Sequence, residues 1–267
     1  MEILLGEKNP TLVRFEPVRE MSEIKAEISG PIRLEASQMI NGLQGLIAED
    51  LAIKIINGQV APGTTLPHEA DLCAAYKVSR TALREGLKLI SAKGLITTRS
   101  RTGTVVNERK FWNFFDPLVL EWQLASGDVA SFLEKLSILR FSIEPVACSL
   151  AAQNASLEDL NALHTALTNM REGFDDLGAW VRADLQFHEA IYIASGNELF
   201  WPFGRLLAPA FNASFRISSF DAHDEMCWQA HKAIYDAIIS RNPIAATEAC
   251  KAVLTIGKEN VMAHNAV

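Results

Sequence analysis

The sequence predicts a mainly α protein in two parts, a small helical domain closed by a β-hairpin and a larger all-helical bundle. Three observations carry the prediction. Residues 58–107 read in order as a turn, a short helix, a tight turn, a second helix and a hairpin with a basic tip. From Ser131 onward apolar residues recur at helical spacing and β-signals are nearly absent. Charge also divides the chain, with a balance of +4 over residues 43–110 and −9 over residues 111–267.

The elements follow in chain order. Residues 1–42 hold Pro10, Pro17, Gly30 and Pro31 without a sustained period and read as an N-terminal extension of unassigned structure. From about Gln44 to Ile56, Leu46, Ile47, Leu51, Ile53, Ile55 and Ile56 give a first helix. Pro62-Gly63 makes the stop after it. Leu72, Cys73, Ala75 and Tyr76 recur at helical spacing, and Glu69 and Asp71 sit in the first turn, where the helix dipole favours them. Ser79 is a natural N-cap for the next helix, whose buried stripe is Leu83, Leu87 and Ile90. Arg80, Thr81 and Arg84 then fall on its exposed side. Gly94 ends that helix, and Leu95–Thr98 and Thr104–Val106 read as strands around the cationic tip Arg99-Ser100-Arg101-Thr102-Gly103.

This order is that of a winged helix-turn-helix, which lays its second helix in the DNA major groove. The expected DNA-contacting set is Ser79, Arg80, Thr81 and Arg84 on the helix, with Arg99, Arg101, Thr102 and Gly103 on the wing. A weakly basic module inside an acidic chain suits a reader of double-stranded DNA whose other half should avoid phosphate. A small helical domain with a solvated basic face is the plainer alternative.

Composition narrows the setting. A length of 267 residues allows two domains with cores of their own. Cys73, Cys148, Cys227 and Cys250 form no C-x-x-C pair, so free thiols and a cytoplasmic location are expected. Glu2, Glu7 and Lys8 flank too short an apolar run for a signal peptide. No apolar run approaches the roughly 20 residues that span a bilayer, so no membrane partner is expected.

Residues 110–128 are expected to connect the domains, with Pro117 at the first turn of a helix after Asp116. The aromatic density of Phe111, Trp112, Phe114, Phe115 and Trp122 argues for a packed connector rather than a flexible one. Residues 129–267 are expected to form the bundle. Phe132, Leu133, Leu136, Leu139, Ile143, Ala147 and Leu150 give one stripe, and Leu157, Leu160, Leu163, Leu167 and Met170 another. Further helices are expected through Trp180–Ile191, Phe203–Phe215, His231–Ile239 and Ile244–Met262.

Two chemical features stand out in this half. Asp184 and His188 lie four residues apart, so on a helix a carboxylate oxygen and an imidazole nitrogen can converge on one ion. They can equally form a hydrogen-bonded pair that orients polar groups in a cavity. Arg140 interrupts an apolar stretch and must reach solvent, pair with Glu144 one turn on, or face a bound anion, for which its fork geometry suits a carboxylate. Pro145 removes an interior helix donor, so a local bend is expected.

Over residues 58–107 the run Pro62-Gly63, Leu66-Pro67-His68-Glu69, Val78-Ser79-Arg80-Thr81, Leu83-Arg84-Glu85 and Gly103-Thr104-Val105-Val106 resembles the DNA-binding domain of GntR-family transcriptional regulators. The helical half, through Leu139-Arg140…Glu144-Pro145, Ala183-Asp184-Leu185-Gln186-Phe187-His188 and His231-Lys232-Ala233-Ile234, resembles the FCD ligand-binding domain of the subfamily typified by the fatty-acid-responsive regulator. That resemblance adds His231 to Asp184 and His188 as a metal set and places Arg140 in an effector cavity. It also implies a fourth ligand about 22 residues after His231, where this chain has Val253. A divalent ion of Zn, Ni or Mn type with an incomplete protein shell is therefore expected. The connector, Trp112-Asn113…Asp116…Val119-Leu120…Trp122, resembles that of galactonate-type sugar-acid repressors.

The reading that follows is a cytoplasmic homodimeric transcription regulator, most simply a repressor. Its operator affinity would be set by a small organic acid, such as a sugar acid, held by Arg140, Asp184, His188 and His231. Two alternatives stay open: a metal-dependent enzyme using the Asp–His–His set, and a ligand-independent DNA binder.

Overall fold

The computed structural model describes residues 42–99, 103–126, 129–206, 208–218 and 224–264. The expected N-terminal extension, and Arg101 and Thr102 of the expected wing tip, lie outside them. The chain divides into two compact units, Met1–Gly127 and Asp128–Val267.

The first unit comprises α1 (Leu43–Ile56), α2 (Glu69–Tyr76), α3 (Arg80–Ala92), β1 (Ile96–Arg99), β2 (Gly103–Val106), a 3-10 turn at Arg109–Phe111 and α4 (Pro117–Ala125). Helix α1 buries Ile47, Ala48, Leu51, Ala52, Ile55 and Ile56 against Leu83, Leu87 and Ile90 of α3 and Leu72 and Tyr76 of α2. Its axis comes so close to α3 that a Cβ on Gly86 would stand 2.9 Å from the Gln44 carbonyl oxygen. The tight turn between α2 and α3 is made by Lys77, a non-glycine residue at φ 51°. Ser79 then caps α3 by accepting a hydrogen bond from Ala82 N at 3.2 Å. After α3 the chain turns at Gly94, at φ 80°, where any Cβ would strike the Phe111 carbonyl.

Strands β1 and β2 pair antiparallel with Ile96 opposite Val106 and Arg99 opposite Gly103. A third segment joins them. Gly63 N donates to Val106 O (2.8 Å), Val106 N to Thr64 O (2.9 Å) and Leu66 N to Thr104 O (2.8 Å). The stretch that reads in sequence as a bare turn thus also supports the hairpin's outer edge.

The connector packs on the first unit. Trp112, Val119 and Trp122 enter the same buried core as α1 and α3. Asp116 accepts from Leu118 N at 3.0 Å with Pro117 at the first helical position, and its other oxygen takes Lys93 Nζ at 2.5 Å. Arg109 stacks on Trp112 (4.9 Å to the ring centroid) and donates to Gln123 Oε1 at 3.1 Å.

The second unit is a helical bundle: α5 (Val129–Asn154), α6 (Leu157–Glu172), α7 (Leu177–Ala194), α8 (Trp201–Leu206), α9 (Ala208–Ser218), α10 (Glu225–Ile239) and α11 (Pro243–His264). Helix α5 packs along α11 and α7, α6 along α7, and α10 along α11. Starts are capped by side chains: Ser156 and Asp159 form a capping box on α6, Asp176 caps α7, and Asp224 caps α10. No helix among the described residues is long and apolar enough to cross a membrane.

Three elements differ from the sequence expectation. The face that α5 buries is Leu133, Leu136, Arg140, Glu144, Ala147, Cys148 and Ala151, while Phe132, Leu139, Ile143 and Leu150 are only half-buried. The stripe is rotated because an ion pair sits in the middle of it. The span expected as one helix over Phe203–Phe215 is two, α8 and α9, with Pro209 at the second position of α9, where it lacks a donor for a continuous ladder. Helix α10 begins at Glu225 rather than His231, which places His231 in its second turn.

Candidate functional site

On the first unit, Ser79, Arg80, Thr81 and Arg84 are all exposed on the side of α3 opposite Leu83, Leu87 and Ile90. Arg99 ends β1 and is exposed, directly across from exposed Gly103 at φ 78°. Arg80 has no ion pair among the described residues. Arg84 has one that the sequence did not announce: its Nε donates to Glu69 Oε1 (3.1 Å) and Oε2 (2.9 Å), and its Nη2 stands 2.9 Å from Oε2.

The second unit buries a polar centre. Helix α7 supplies Asp184 and His188 one turn apart, α10 supplies His231, and α5 supplies Arg140 and Glu144, and none of the five is more than 7% exposed. Asp184 Oδ1 stands 3.3 Å from His188 Nε2 and 3.2 Å from His231 Nε2. Glu144 Oε2 stands 2.9 Å from His188 Nδ1, so the carboxylate turns the other ring nitrogen toward Asp184. Likewise His231 Nδ1 stands 2.8 Å from the Cys227 carbonyl, the residue one turn earlier, leaving Nε2 facing inward. Arg140 Nε donates to Glu144 Oε1 at 2.6 Å and its Nη2 to Oε2 at 3.3 Å. Of the three outcomes anticipated for Arg140, the pairing with Glu144 is the one formed, and the residue also lines a cavity.

The electrostatics are those of a mutually supporting charged cluster. Burial opposes the Asp184 carboxylate, yet His231 and His188 hold it below the usual carboxylate range. Burial likewise opposes Glu144, and Arg140 and His188 bring it down to about 2. Against burial, Glu144 and Asp184 raise His188, and Asp184 raises His231 well above the ordinary imidazole value.

A metal fits these residues on one particular observation. Asp184 Oδ1 and His231 Nε2 are buried and near each other, but neither makes a hydrogen bond of proper geometry. With His188 they offer three ligand atoms within 4.8 Å of one another. Orphaned buried polar atoms are costly unless something else completes them. A carboxylate oxygen and two imidazole nitrogens brought this close are the donor types that a divalent transition-metal ion takes, and metal binding would displace any proton from the two rings. A cavity of roughly 20 Å³ lies there, about enough for one water or ion, lined by Asp184, His188, His231, Cys227, Val253 and Asn260. Val253 brings only its isopropyl group to that wall. Asn260, two turns later on the same helix, brings an amide that the sequence reading did not single out.

Beside it is a larger cavity of about 570 Å³, lined among others by Leu133, Ser137, Arg140, Ser214, Leu254 and Lys258. That volume is in the range of small-molecule sites. Arg140 lines both cavities, its guanidinium held over Phe215 (4.7 Å) and Phe211 (5.3 Å). Its Nη1 has no hydrogen-bond partner among the described residues.

Comparison with known proteins now decides the family. Residues 43–106 match the gntR family of bacterial regulatory proteins, and residues 136–255 match the FCD domain. The chain belongs to the GntR family. It is a DNA-binding transcriptional regulator with a ligand-binding FCD domain, and not an enzyme. Among relatives, the uncharacterized HTH-type transcriptional regulator YieP of Escherichia coli K12 is 34% identical over 226 residues, 83% of this chain and 97% of that protein. The galactonate operon transcriptional repressor of the same organism is 31% identical over 201 residues, 74% of this chain and 88% of that protein. A solved structure of Lar, described as controlling expression of the Listeria monocytogenes agr system, superposes with a TM-score of 0.54 at 18% identity. It covers 84% of this chain and 98% of that one, and the likeness is one of fold.

Proposed function

We propose that this GntR regulator is a homodimeric repressor that releases its operator when a small organic acid binds at the Arg140–Asp184–His188–His231 centre. The observation that carries the reading is the pair of orphaned buried atoms, Asp184 Oδ1 and His231 Nε2, beside a cavity that Arg140 also lines. A ligand-blind bundle has no reason to bury such groups. The similarity to a protein named the galactonate operon repressor supports a sugar acid as the effector.

Asp184, His188 and His231 would hold the ion, Glu144 and the Cys227 carbonyl would orient the two imidazoles, and Arg140 would take a carboxylate through its free Nη1 edge. A bound divalent ion of Zn, Ni or Mn type would supply a Lewis-acidic centre for hydroxyl and carboxylate oxygens and leave the buried set with one excess positive charge for an anion. On the first unit, Ser79, Arg80, Thr81 and Arg84 would meet base edges, and Arg99 and Gly103, with Arg101 and Thr102, would meet the backbone or minor groove. Two subunits would place two such helices on a near-palindromic operator. The operator affinity lost on effector binding equals the coupling free energy between the sites.

A thermal-shift screen of sugar acids, hydroxy acids and dicarboxylates with and without Zn, Ni or Mn tests this, because a ligand selective for the folded state raises its stability by mass action. An acid that raises the melting temperature should also release DNA in a gel shift. If no acid does either, with any of the metals, the effector reading is lost and the DNA-binding module alone remains.

A further inference from the structure

The geometry points to Glu69 as a positioning residue that locks Arg84 for end-on recognition of a guanine, so that sequence preference at that base depends on an acidic residue that touches no DNA. The inference rests on the proposed role of α3 as the reading helix. Arg84 lies on the exposed side of α3, 60% exposed at its side chain, and Glu69 lies at the first position of α2, where the helix dipole favours a carboxylate. Three contacts of 3.1, 2.9 and 2.9 Å join them, all on one edge of the guanidinium, the edge formed by Nε and Nη2.

A guanidinium has five N–H donors in a fixed plane. When Glu69 takes the Nε/Nη2 edge, the donors left are both hydrogens of Nη1 and the outer hydrogen of Nη2. The outer hydrogens of Nη1 and Nη2 form the end-on edge, whose two parallel donors match O6 and N7 of guanine. A free arginine can offer either edge and must freeze its long side chain on binding. Arg84 is already frozen, with one edge blocked and the other presented. Arg80, one turn earlier, has no such ion pair among the described residues and stays adaptable.

Two further points argue that the pair serves recognition. Exposed ion pairs add little to folding stability. A carboxylate facing the nucleic-acid side also repels phosphate, which costs general DNA affinity. Such a group is useful there when what it gives is selectivity.

The test uses the full-length protein and the variants Glu69→Gln, Arg84→Ala and their combination, each with unchanged melting behaviour as the folding control. A pool of randomised duplex DNA gives the wild-type consensus. Affinities are then measured for that consensus, for versions with each guanine replaced, and for random duplex, at two salt concentrations. Arg84→Ala should lose the preference at one guanine per half-site. Glu69→Gln should bind random duplex as well as or better than wild type, yet lose about tenfold in discrimination at that same guanine. The double variant should discriminate no worse than Arg84→Ala alone. Full discrimination in Glu69→Gln alongside its loss in Arg84→Ala overturns the positioning role and leaves the reading helix in place. If both variants change only the salt slope, Arg84 holds a phosphate and the proposal falls. If Arg84→Ala keeps the wild-type consensus and preference, the reading of α3 falls as well.

Discussion

Glu144 Oε2 stands 2.9 Å from His188 Nδ1 while both Glu144 oxygens also face the Arg140 guanidinium, so one buried carboxylate joins the candidate metal centre to the candidate anion site. It fixes which nitrogen His188 turns to Asp184, and it sets how far Arg140 can lean toward the larger cavity. Any ligand that pulls on Arg140 is felt at His188 through Glu144 and also directly, since Arg140 Nη2 stands 3.4 Å from His188 Nε2.

Glu144→Gln should therefore weaken zinc binding by about 10- to 100-fold, as loss of the carboxylate behind a ligating histidine generally does. Competition against a chromogenic chelator measures it. The variant should also be less stable, because Arg140 loses its buried counter-charge. Unaltered zinc affinity in a folded variant would mean that Glu144 serves only the helix.

Tyr76 gives the pH dependence of the first unit. Its hydroxyl donates to Asp50 Oδ2 at 2.5 Å, tying α2 to α1. Burial, then the Asp50 charge and this hydrogen bond, raise its pKa far above the ordinary value of 10.0. A group raised on folding contributes stability that is fully present below its unfolded pKa and is lost as pH rises beyond it. The wild type should lose up to about 1.4 kcal/mol per pH unit above pH 10 from this residue. Tyr76→Phe should be about 1 kcal/mol less stable at neutral pH and should lack that increment, so the two urea-melt curves converge above pH 10. Parallel curves would remove Tyr76 as the cause.

Much of this was legible in the chain because the signals are local. Ser79, Asp116 with Pro117, and the Leu83–Leu87–Ile90 stripe are read within a turn or two of themselves, and the structure places each accordingly. Asp184 and His188 are visible for the same reason. What was not legible depends on packing between distant segments. Glu144 reads as a partner for Arg140 four residues away, but its contact with His188 comes from the crossing of α5 and α7. The apolar period of α5 misjudged its buried face because a charged pair normally seeks water, and here Arg140, Glu144 and His188 satisfy one another inside. His231 came only through family resemblance, and neither Asn260 nor the Glu69–Arg84 clamp leaves a periodic trace.

Arg99 should behave as a backbone contact rather than a base reader. It is exposed at the end of β1, opposite a glycine, with no ion pair among the described residues. Arg99→Ala should weaken operator and random duplex alike and reduce the salt slope by about 1, the mark of one lost phosphate contact. Gel-shift titrations over a salt series supply the slope. A loss confined to one operator sequence would instead place Arg99 in a groove.

The incomplete ligand set yields the sharpest variant of all. Val253 lines the small cavity on α11 alongside His231 and Asp184, and its side chain is buried but cannot coordinate. Val253→His should place a fourth ligand, the third imidazole nitrogen, at the wall of that cavity and tighten zinc binding, by an amount that shrinks as pH falls because protonated imidazole does not ligate. Steric cost works against it, since the cavity is only roughly 20 Å³ and the larger ring must displace whatever fills the open position. The gain in metal affinity should thus come with a loss of effector affinity, because a ligand oxygen and the new imidazole compete for one coordination site. His188→Ala should instead lose both metal and effector response while still binding operator, since His188 belongs to the second unit and Arg80 and Arg84 to the first. Zinc titration and effector-dependent DNA release on the wild type and both variants separate these cases. A His188→Ala protein that still releases DNA on adding the acid would show that sensing occurs elsewhere. A Val253→His protein whose zinc and effector affinities both stay at wild-type values would show that the open position does not face Val253.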